Sequence, residues 1–399
     1  MAAIVAAREA PGLRVVVFEG QPRPGIKILA SGGGRCNVTN EAVTPADFNG
    51  DRGLVARVLR RFDERATVEF FSGIGVPLKE EPEFGKLFPE TNSARTVLDA
   101  LLGECARLGV QIESSFRVTG VARTGDGFEV RSGERAELCD ALVLATGGRS
   151  LPKSGSDGAG YEFARALGHS VGSTAPALVP LVLQPHSLAG LEGVAVPVEM
   201  SVWTGGKRLA LETGPALVTH FGLSGPSPMN VSRHFAVARL AGESPEVRMN
   251  FFPGRATAEL EAAWLTTART EGARNVASLL SDIPARLARR IAEIAEVAPE
   301  TRVSELTKQA RKRLLETATN LRLPVSDTRG WNAAEVTAGG VPLAEVDVRT
   351  MESKRCPRLH FVGEILDVDG RIGGFNFQWA WATGFIAGQA IATRKAAVG

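Results

Sequence analysis

The pattern of apolar and polar residues divides the chain into stretches of different character. In the first stretch, amphipathic helical segments alternate with short apolar runs, which is typical of a doubly wound α/β domain with a parallel sheet. The run 14–19 is apolar between charged ends, and this predicts a strand buried on both faces. Helices are predicted at 2–10, 54–62, 67–72 and 94–108, and further strands at 110–113, 116–121, 128–131 and 141–145.

From residue 175 onward the alternation gives way to β segments punctuated by proline, and amphipathic helices rich in Ala, Arg, Leu and Glu follow. Strands are predicted at 177–183, 194–204, 208–213, 216–221, 321–325 and 359–363, and helices at 256–271, 275–280, 283–296, 303–317 and 376–393. We therefore predict a discontinuous Rossmann-like domain with an inserted β-rich domain and a small helical cap. The predicted boundaries are 1–174 and 332–399 for the first, 175–255 and 318–331 for the second, and 256–317 for the third.

Composition narrows the class of protein. A chain of 399 residues with 44% hydrophobic and 23% charged residues is globular, which excludes disorder and a coiled coil. The 46 basic and 44 acidic residues give a net charge of +2. This balance predicts a small-molecule partner, with no nucleic acid and no membrane surface. The sequence leaves the oligomeric state open.

Cysteine usage and hydropathy bear on the compartment. The chain has 4 cysteines and none stand in a CxxC spacing, which argues against a disulfide framework and a structural zinc site. No apolar run is long enough for a membrane span, and the opening residues do not have the order of a secretory signal. We expect a cytoplasmic protein.

Glu19 ends the first predicted strand, where a dinucleotide-binding fold places the acid that binds the adenosine ribose. The alternative is a solvated glutamate at a strand end. A glycine fingerprint for pyrophosphate should precede the helix at 2–10, and the sequence does not contain it. Either the dinucleotide-binding interpretation is wrong or the sequence starts late, and the residues up to this point leave both alternatives open.

The stretch 24–40 is the first strong site. Its consecutive glycines Gly32, Gly33 and Gly34 allow backbone amides to converge on a polar ligand, and Lys27 and Arg35 are available for anionic charge. No Lys-Ser/Thr pair follows the glycines, so a phosphate-binding P-loop is excluded. The alternative is a flexible surface loop. Cys36 is a candidate redox residue, although a packing or flavin-facing role is favoured because no second cysteine is near it in sequence.

Two further segments place small residues at strand ends. The turn 145–148 (Ala-Thr-Gly-Gly) follows a predicted strand and is either a ligand contact or an ordinary βα turn. The segment 363–380 brings carboxylates and then two glycines to the start of a long helix, whose free N–H groups suit the pyrimidine end of a reduced flavin. The alternative for Asp367 and Asp369 is turn and capping chemistry, which we expect for one of the two. Nothing nearby completes an oxygen cage around them, so no metal site is predicted.

The segment 219–226 precedes a helix in the inserted domain. A hydrolase nucleophile elbow needs glycine two residues after Ser224, and Pro226 occupies that position, so a nucleophilic serine is not predicted. His220 is a candidate proton donor at a domain interface, while a buried structural histidine is the favoured alternative.

Taken in this order, the four segments resemble the BaiN/YhiN-like flavoproteins, also known as NAD(P)/FAD-dependent oxidoreductases or the aminoacetone oxidase family. The segment Lys27–Asn40 is close to that family's signature. The resemblance covers nearly the whole chain, except that the family has a strand and a glycine turn before its first helix. It implies FAD as cofactor, with NAD(P)H as a possible electron donor.

The resemblance also implies the site. Glu19 would bind the ribose, Lys27 and the following loop would line the cofactor, and Glu364 would reach the ribityl chain. The catalytic residues are unknown, with His220, Arg35 and Cys36 as weak candidates. The cofactor-binding residues predicted are Glu19, Lys27, Ser31, Gly32, Gly33, Gly34, Arg35, Cys36, Asn37, Val118, Ala145, Thr146, Gly147, Gly148, Glu364, Asp369, Gly373, Gly374, Phe375, Asn376 and Phe377.

The expected chemistry is hydride transfer at flavin N5. In the favoured version NAD(P)H reduces FAD, and an unsaturated carbonyl compound accepts the hydride. In the alternative, a small amine donates hydride and oxygen reoxidises the flavin. An interaction protein that binds no flavin or only senses it is a further alternative.

Overall fold

The computed structural model describes residues 1–82 and 84–396. They form two compact units: Met1–Thr174 with Val336–Gly399, and Ala175–Glu335. The predicted helical segment 256–317 lies within the second unit. No helix in these described ranges is both long and apolar enough to cross a membrane.

The first unit begins with short strands and helices in alternation, as its hydropathy pattern predicts. Short 3-10 helices lie at Ser31–Gly34, Pro45–Asp47 and Pro152–Ser154. The other elements in chain order are α1 (Ala2–Glu9), β1 (Val16–Phe18), α2 (Ile26–Ala30), β2 (Thr39–Asn40), β3 (Phe48–Asn49), α3 (Arg52–Leu59), α4 (Glu64–Gly73), β4 (Leu78–Glu81), β5 (Lys86–Pro89), α5 (Ala94–Arg107), β6 (Gln111–Glu113), β7 (Gly120–Thr124), β8 (Gly127–Ser132), β9 (Arg135–Cys139), β10 (Leu142–Leu144) and α6 (Ala159–Ala166).

The second unit contains longer antiparallel strands and most of the amphipathic helices. Short 3-10 helices lie at Val276–Leu280 and Val303–Glu305. Its other elements are β11 (Ala175–Ala177), β12 (Leu181–Leu183), β13 (Ala195–Thr204), β14 (Lys207–Thr219), β15 (Gly222–Ser224), α7 (Pro226–Leu240), β16 (Glu246–Asn250), α8 (Thr257–Thr270), α9 (Ala285–Ile294), α10 (Lys308–Asn320), β17 (Leu321–Leu323) and β18 (Val325–Thr328).

The chain then returns to the first unit. Short 3-10 helices at Leu343–Glu345 and Gly363–Ile365 lie between its strands. The elements are β19 (Val336–Ala338), β20 (Val346–Asp347), β21 (Glu352–Ser353), β22 (Leu359–Phe361), β23 (Asp369–Gly370) and α11 (Phe375–Ala396).

Parallel pairing in the first unit joins strands that are distant in sequence. β1 pairs with β6, and β10 pairs with β22, both in parallel. β22 continues through β21 to β20, and β7, β8 and β9 form a separate three-stranded sheet. Parallel strands need crossover connections, and the intervening helices supply them. This arrangement agrees with the α/β pattern of the sequence.

The first and last helices of this unit pack directly on each other. Gly384 and Gly388 lie one turn apart on α11, and a Cβ at Gly388 would lie 2.6 Å from the Ala2 carbonyl oxygen and 2.7 Å from the Val5 Cβ. Only glycine allows this close approach. The start of the chain is therefore held by its last described helix.

In the second unit, a seven-stranded sheet has the order β17-β16-β13-β14-β15-β12-β18. Val198 and Met200 on β13 are fully buried and belong to one hydrophobic core with Trp264 of α8, Leu287 of α9 and Leu314 of α10. The helices of 256–317 thus share the core of the sheet.

The structure corrects several predicted elements. The predicted strand 116–121 begins only at Gly120, because Phe116 is buried against Phe18 with ring centroids 4.2 Å apart. The predicted strands 208–213 and 216–221 are one continuous strand, β14, and β9 was not predicted. The predicted strand 177–183 is divided between β11 and β12.

Glu104 connects α5 to α1 through a carboxylate that is only 8% exposed. Its oxygens accept hydrogen bonds from Arg8 Nη2 at 2.6 Å and from Arg107 Nε and Nη2 at 2.7 Å. Hydrogen bonding from Arg107, reinforced by Arg8 and opposed by burial, lowers the pKa of the Glu104 carboxyl to about 2.

We expect Glu104→Gln to lower the free energy of unfolding at neutral pH by on the order of 2 kcal/mol, because the ionised carboxylate stabilises the folded state. That contribution is complete above the unfolded-state pKa of 4.5 and is lost as pH falls toward 2. Urea unfolding at neutral pH and at about pH 3 should therefore give a smaller difference between the two proteins in acid. Glu162→Gln, which removes an exposed ion pair with Arg165 on α6, is the control and should have little effect. An equal Glu104→Gln difference at both pH values would contradict this account.

Candidate functional site

A carboxylate in the first unit connects segments that are far apart in sequence. Glu364 follows β22, and its Oε2 accepts a hydrogen bond from Lys27 Nζ at 2.6 Å. Its Oε1 accepts from Ser150 Oγ at 2.8 Å and from the Thr337 backbone N–H at 2.9 Å. The side chains of Lys27 and Glu364 are 31% and 17% exposed. They form a partly buried ion pair without net charge.

The sequence analysis identified neither Ser150 nor Thr337. The Thr337 Oγ1 is buried and accepts hydrogen bonds from the backbone N–H groups of Arg149 at 2.7 Å and Ser150 at 3.2 Å. A glycine pair just after Thr337 is the signal that could have found it. A Cβ at Gly340 would lie 2.6 Å from the Ile365 carbonyl oxygen, so this pair packs against the segment that carries Glu364.

Buried hydroxyl groups lie beside the turn 145–148. Thr146 Oγ1, Ser156 Oγ and Tyr161 OH have no hydrogen-bond partner within the described residues. A Cβ at Gly147 would lie 2.8 Å from Ser156 Oγ, which places that hydroxyl against the turn. Burial, with the charge of Glu364 nearby, raises the pKa of Tyr161, so its phenol stays protonated. A buried polar group without a partner costs about 1 to 3 kcal/mol, which suits these groups to a polar ligand.

The glycine loop adopts the conformation that its composition predicts. Gly32, Gly33 and Gly34 have φ angles of 54°, 66° and 84°, in the left-handed region where other residues are strained. Ser31 begins this loop, and Cys36 ends it with its side chain fully buried. Burial raises the pKa of the Cys36 thiol to about 11, so it remains protonated at neutral pH. This environment suits a packing role.

Arg35 is occupied by protein partners. Its Nη1 lies 3.0 Å from Glu81 Oε1, and its guanidinium lies 4.1 Å from the centroid of the Phe88 ring. The Arg35 side chain therefore anchors the glycine loop to β4 and β5.

The structure brings the two strongest sequence segments together. The residues that follow the glycine loop form hydrogen bonds with the segment that begins α11. Side chains from both segments take part. The contacts are Asn37 Oδ1 accepting from Gly374 N–H (3.0 Å), Thr39 Oγ1 donating to Gln378 Oε1 (2.7 Å), Asn40 Nδ2 donating to the Gly373 carbonyl (3.0 Å) and Trp381 Nε1 donating to the Val38 carbonyl (2.9 Å). Buried hydrogen bonds thus hold together two segments that lie more than three hundred residues apart in the chain.

The start of α11 is fixed by side chains. Asn376 exchanges two hydrogen bonds of 2.8 Å with the backbone of Gly370. Asp369 is buried in β23, where it pairs with Asn49 of β3 and its Oδ2 accepts a hydrogen bond from Asn49 Nδ2 at 2.9 Å, so the interpretation of Asp369 as a turn residue is wrong. Phe375 is buried, whereas Phe377 is partly exposed and stacks on Trp381. The first-turn N–H groups of a helix have no intrahelical acceptors and are available to a ligand.

The remaining residues that were predicted from sequence lie in other parts of the fold. Glu19 follows β1, and its Oε1 accepts from the Gln21 N–H at 2.8 Å. Val118 is partly buried between β6 and β7. Ala145 begins the turn after β10. His220 belongs to the second unit and is exposed in the turn between β14 and β15, so the expectation of a buried structural histidine is wrong.

These features together fit an extended ligand with many oxygen acceptors. Glycine turns allow close approach of backbone, and buried hydroxyls and helix N–H groups donate hydrogen bonds. FAD, with its pyrophosphate and ribityl hydroxyls, has this chemistry. Glu19, the loop 31–37, the turn 145–148 and the start of α11 are the residues that would hold it.

Fold and site together define a flavin-dependent oxidoreductase of the Rossmann type, and comparison with known proteins agrees. Residues 1–390 match the HI0933-like protein Rossmann domain family, and the chain belongs to this family. The BaiN/YhiN-like resemblance and the Rossmann-like fold class are thereby confirmed. The chain is an FAD-dependent oxidoreductase, as predicted.

Two relatives align over almost the full chain. It is 35% identical to a 3-dehydro-bile acid delta(4,6)-reductase of Clostridium scindens, covering 99% of this chain and 96% of the relative. It is 32% identical to a ribosomal RNA dihydrouridine synthase of Escherichia coli, covering 96% and 93%. Among solved structures, a 3-ketosteroid-delta4-(5alpha)-dehydrogenase from Rhodococcus jostii RHA1 has a TM-score of 0.51 and 17% identity, covering 98% and 94%, which shows the shared fold.

We expect Gly148→Ala to weaken FAD binding about ten- to hundredfold, the effect of losing a charge-assisted hydrogen bond. A Cβ at Gly148 would lie 2.3 Å from Thr337 Oγ1 and 2.8 Å from Glu364 Oε1, so both must move. Flavin fluorescence titration of the apoprotein measures the dissociation constant. Gly103→Ala on α5, where a Cβ meets nothing within 4 Å, is the control and should leave it unchanged. Equal FAD affinity in the two variants would exclude the proposed arrangement.

Proposed function

We propose that this protein reduces a carbon–carbon double bond conjugated to a carbonyl group, using FAD and taking electrons from NAD(P)H. The observation that carries the proposal is the pair of relatives at 35% and 32% identity, which are named for different substrates. A dehydro-bile acid and uridine both contain a double bond conjugated to a carbonyl. Each reaction adds two hydrogens across it, so the reaction type is common to both.

When bound, FAD supplies hydride transfer, and the protein supplies binding and orientation. In this proposal Lys27 is fixed by Glu364 and Ser150, so its ammonium group cannot swing away from the site. Glu364 neutralises that charge, and the fixed N–H groups at the start of α11 favour a ligand group that becomes negative on reduction.

The substrate we propose is a small unsaturated carbonyl compound. The nearly balanced charge of the chain, +2 in 399 residues, favours a small molecule because RNA binding relies on a strong positive field. A uridine within ribosomal RNA is the second candidate, favoured by the relative from Escherichia coli that aligns over 96% of this chain. Oxidation of a small amine by oxygen is a third reaction that the same cofactor supports.

Turnover assays separate these reactions. We expect flavin-loaded protein to consume NAD(P)H beyond one equivalent per flavin only when an enone such as a 3-oxo-Δ4 steroid is present, and the product to carry two added hydrogens by mass spectrometry. Without oxygen the rate should persist, and in air no substrate-dependent peroxide should form. Peroxide production driven by an amine, with no NAD(P)H consumed, would contradict the proposal and support an oxidase.

The RNA candidate has its own assay. Ribosomal RNA transcripts incubated with the holoenzyme and NAD(P)H can be digested to nucleosides and analysed for dihydrouridine by mass spectrometry. We expect no dihydrouridine above the level of a heat-denatured control. Its formation at one defined uridine would replace the small-molecule substrate with RNA while keeping the reaction type.

A further inference from the structure

A cavity of about 410 Å³ in the first unit is lined by the loop before α2, by α2 itself and by α5. None of the described residues that line it belongs to the candidate cofactor site. Small-molecule pockets in proteins have volumes of about 300 to 1,000 Å³ and mostly apolar walls. The apolar lining here consists of Pro22, Pro24, Ile26, Leu29, Leu98 and Leu102. Size and lining therefore suit the apolar part of a small ligand.

The spacing of apolar residues on the two helices builds these walls. Leu98 and Leu102 are four residues apart on α5, and Ile26 and Leu29 are three apart on α2, so each pair lies on one face of its helix. Gly25 precedes α2 with a φ angle of 86°, and a Cβ there would lie 2.3 Å from Leu98 Cδ1. Any larger residue would push α2 away from α5, so this glycine keeps the two walls together.

Two arginines line the same cavity. Arg23 belongs to the loop before α2, and Arg95 lies one turn before Leu98 on α5, and both are exposed. Within the described residues, neither guanidinium has a hydrogen bond, an ion pair or an aromatic contact, and Asp99, one turn after Arg95, forms no ion pair with it. None of the described lining residues is acidic. The cavity therefore combines an apolar wall with positive charge that no described carboxylate neutralises.

We infer that this cavity binds an aliphatic carboxylate, with its alkyl chain against the apolar residues and its charged end at Arg23 and Arg95. A guanidinium group binds a carboxylate through paired N–H donors. Liquid water takes up about 30 Å³ per molecule, so the cavity holds on the order of a dozen non-hydrogen atoms. A straight-chain carboxylate of about ten carbons has this size. A steroid acid is larger, so the inference does not depend on the substrate of the proposed reaction.

Isothermal titration calorimetry of the flavin-loaded protein tests the site, with n-decanoate as the probe below the concentration at which it forms micelles. We expect saturable binding at one site while the flavin stays bound. Acetate lacks the alkyl chain and 1-decanol lacks the charge, so each should bind at least about tenfold more weakly.

Three results of this titration would overturn the inference. The first is the absence of saturable decanoate binding. The second is equal binding of decanoate and 1-decanol, which would leave the arginines without a role. The third is release of the flavin by decanoate, which would place the probe in the cofactor site.

The role of the charge is tested by Arg23→Gln and Arg95→Gln. We expect each to raise the dissociation constant of decanoate about three- to tenfold, because one charge-assisted contact at an exposed position is lost. Arg57→Gln is the matched control, since Arg57 is also an exposed arginine of the first unit without a side-chain partner among the described residues, and it does not line the cavity. Its effect should stay below about twofold. Equal weakening in all three variants would show a general charge effect and contradict the site.

The apolar wall is tested by Leu102→Glu, which places a carboxylate among the lining residues. Repulsion of the probe should raise its dissociation constant at least about tenfold. Gly103→Glu adds the same charge at the next position of α5, where a Cβ meets nothing within 4 Å, and should have little effect. Flavin content and circular dichroism show whether each variant is folded, and the arginine variants decide if Leu102→Glu is not. Equal dissociation constants in the two folded glutamate variants would overturn the inference.

Discussion

The carboxylate of Glu364 is the contact on which the candidate site depends. Its two oxygens accept hydrogen bonds from Lys27, Ser150 and the Thr337 backbone, which come from separate segments of the first unit. A partly buried carboxylate is stable only when such donors surround it, because its desolvation is costly. The ion pair with Lys27 therefore fixes the relative positions of the glycine loop, the turn after β10 and the end of β22.

Much of this site was predictable from sequence, because glycine clusters mark places where backbone must come close to something else. The loop 31–37, the turn 145–148 and the segment 363–380 were each identified in this way. Their mutual contacts were not predictable. Side chains such as Asn37 and Gln378 are common polar residues, and nothing local shows that they meet across the fold.

Ser150 and Thr337 were missed for a related reason. A serine after a glycine turn and a threonine on a short buried strand have no distinctive spacing, and their roles arise only when Glu364 lies between them.

Some secondary-structure elements were predicted wrongly because tertiary packing outweighs the local hydropathy pattern. Phe116 fits a strand by hydropathy, yet it packs on Phe18. In α7 the prolines Pro226 and Pro228 stand in the first turn, where no intrahelical N–H is needed.

The chemistry of the second unit is less visible in sequence than that of the first. Its strands alternate regularly, and several of its exposed arginines pair with glutamates, as is common on protein surfaces. Arg329 and His220 both contact Phe221, although about a hundred residues separate them in the chain, and no local pattern predicts that contact.

The central claim is that Lys27 and Glu364 act as one unit in building the cofactor site. A double-mutant cycle on the FAD dissociation constant tests it, with Lys27→Met, Glu364→Gln and both together. The account predicts that the double variant loses about as much affinity as either single variant, which gives a coupling energy on the order of 1 to 3 kcal/mol. Losses that simply add would show that the two residues act independently, and would contradict the account.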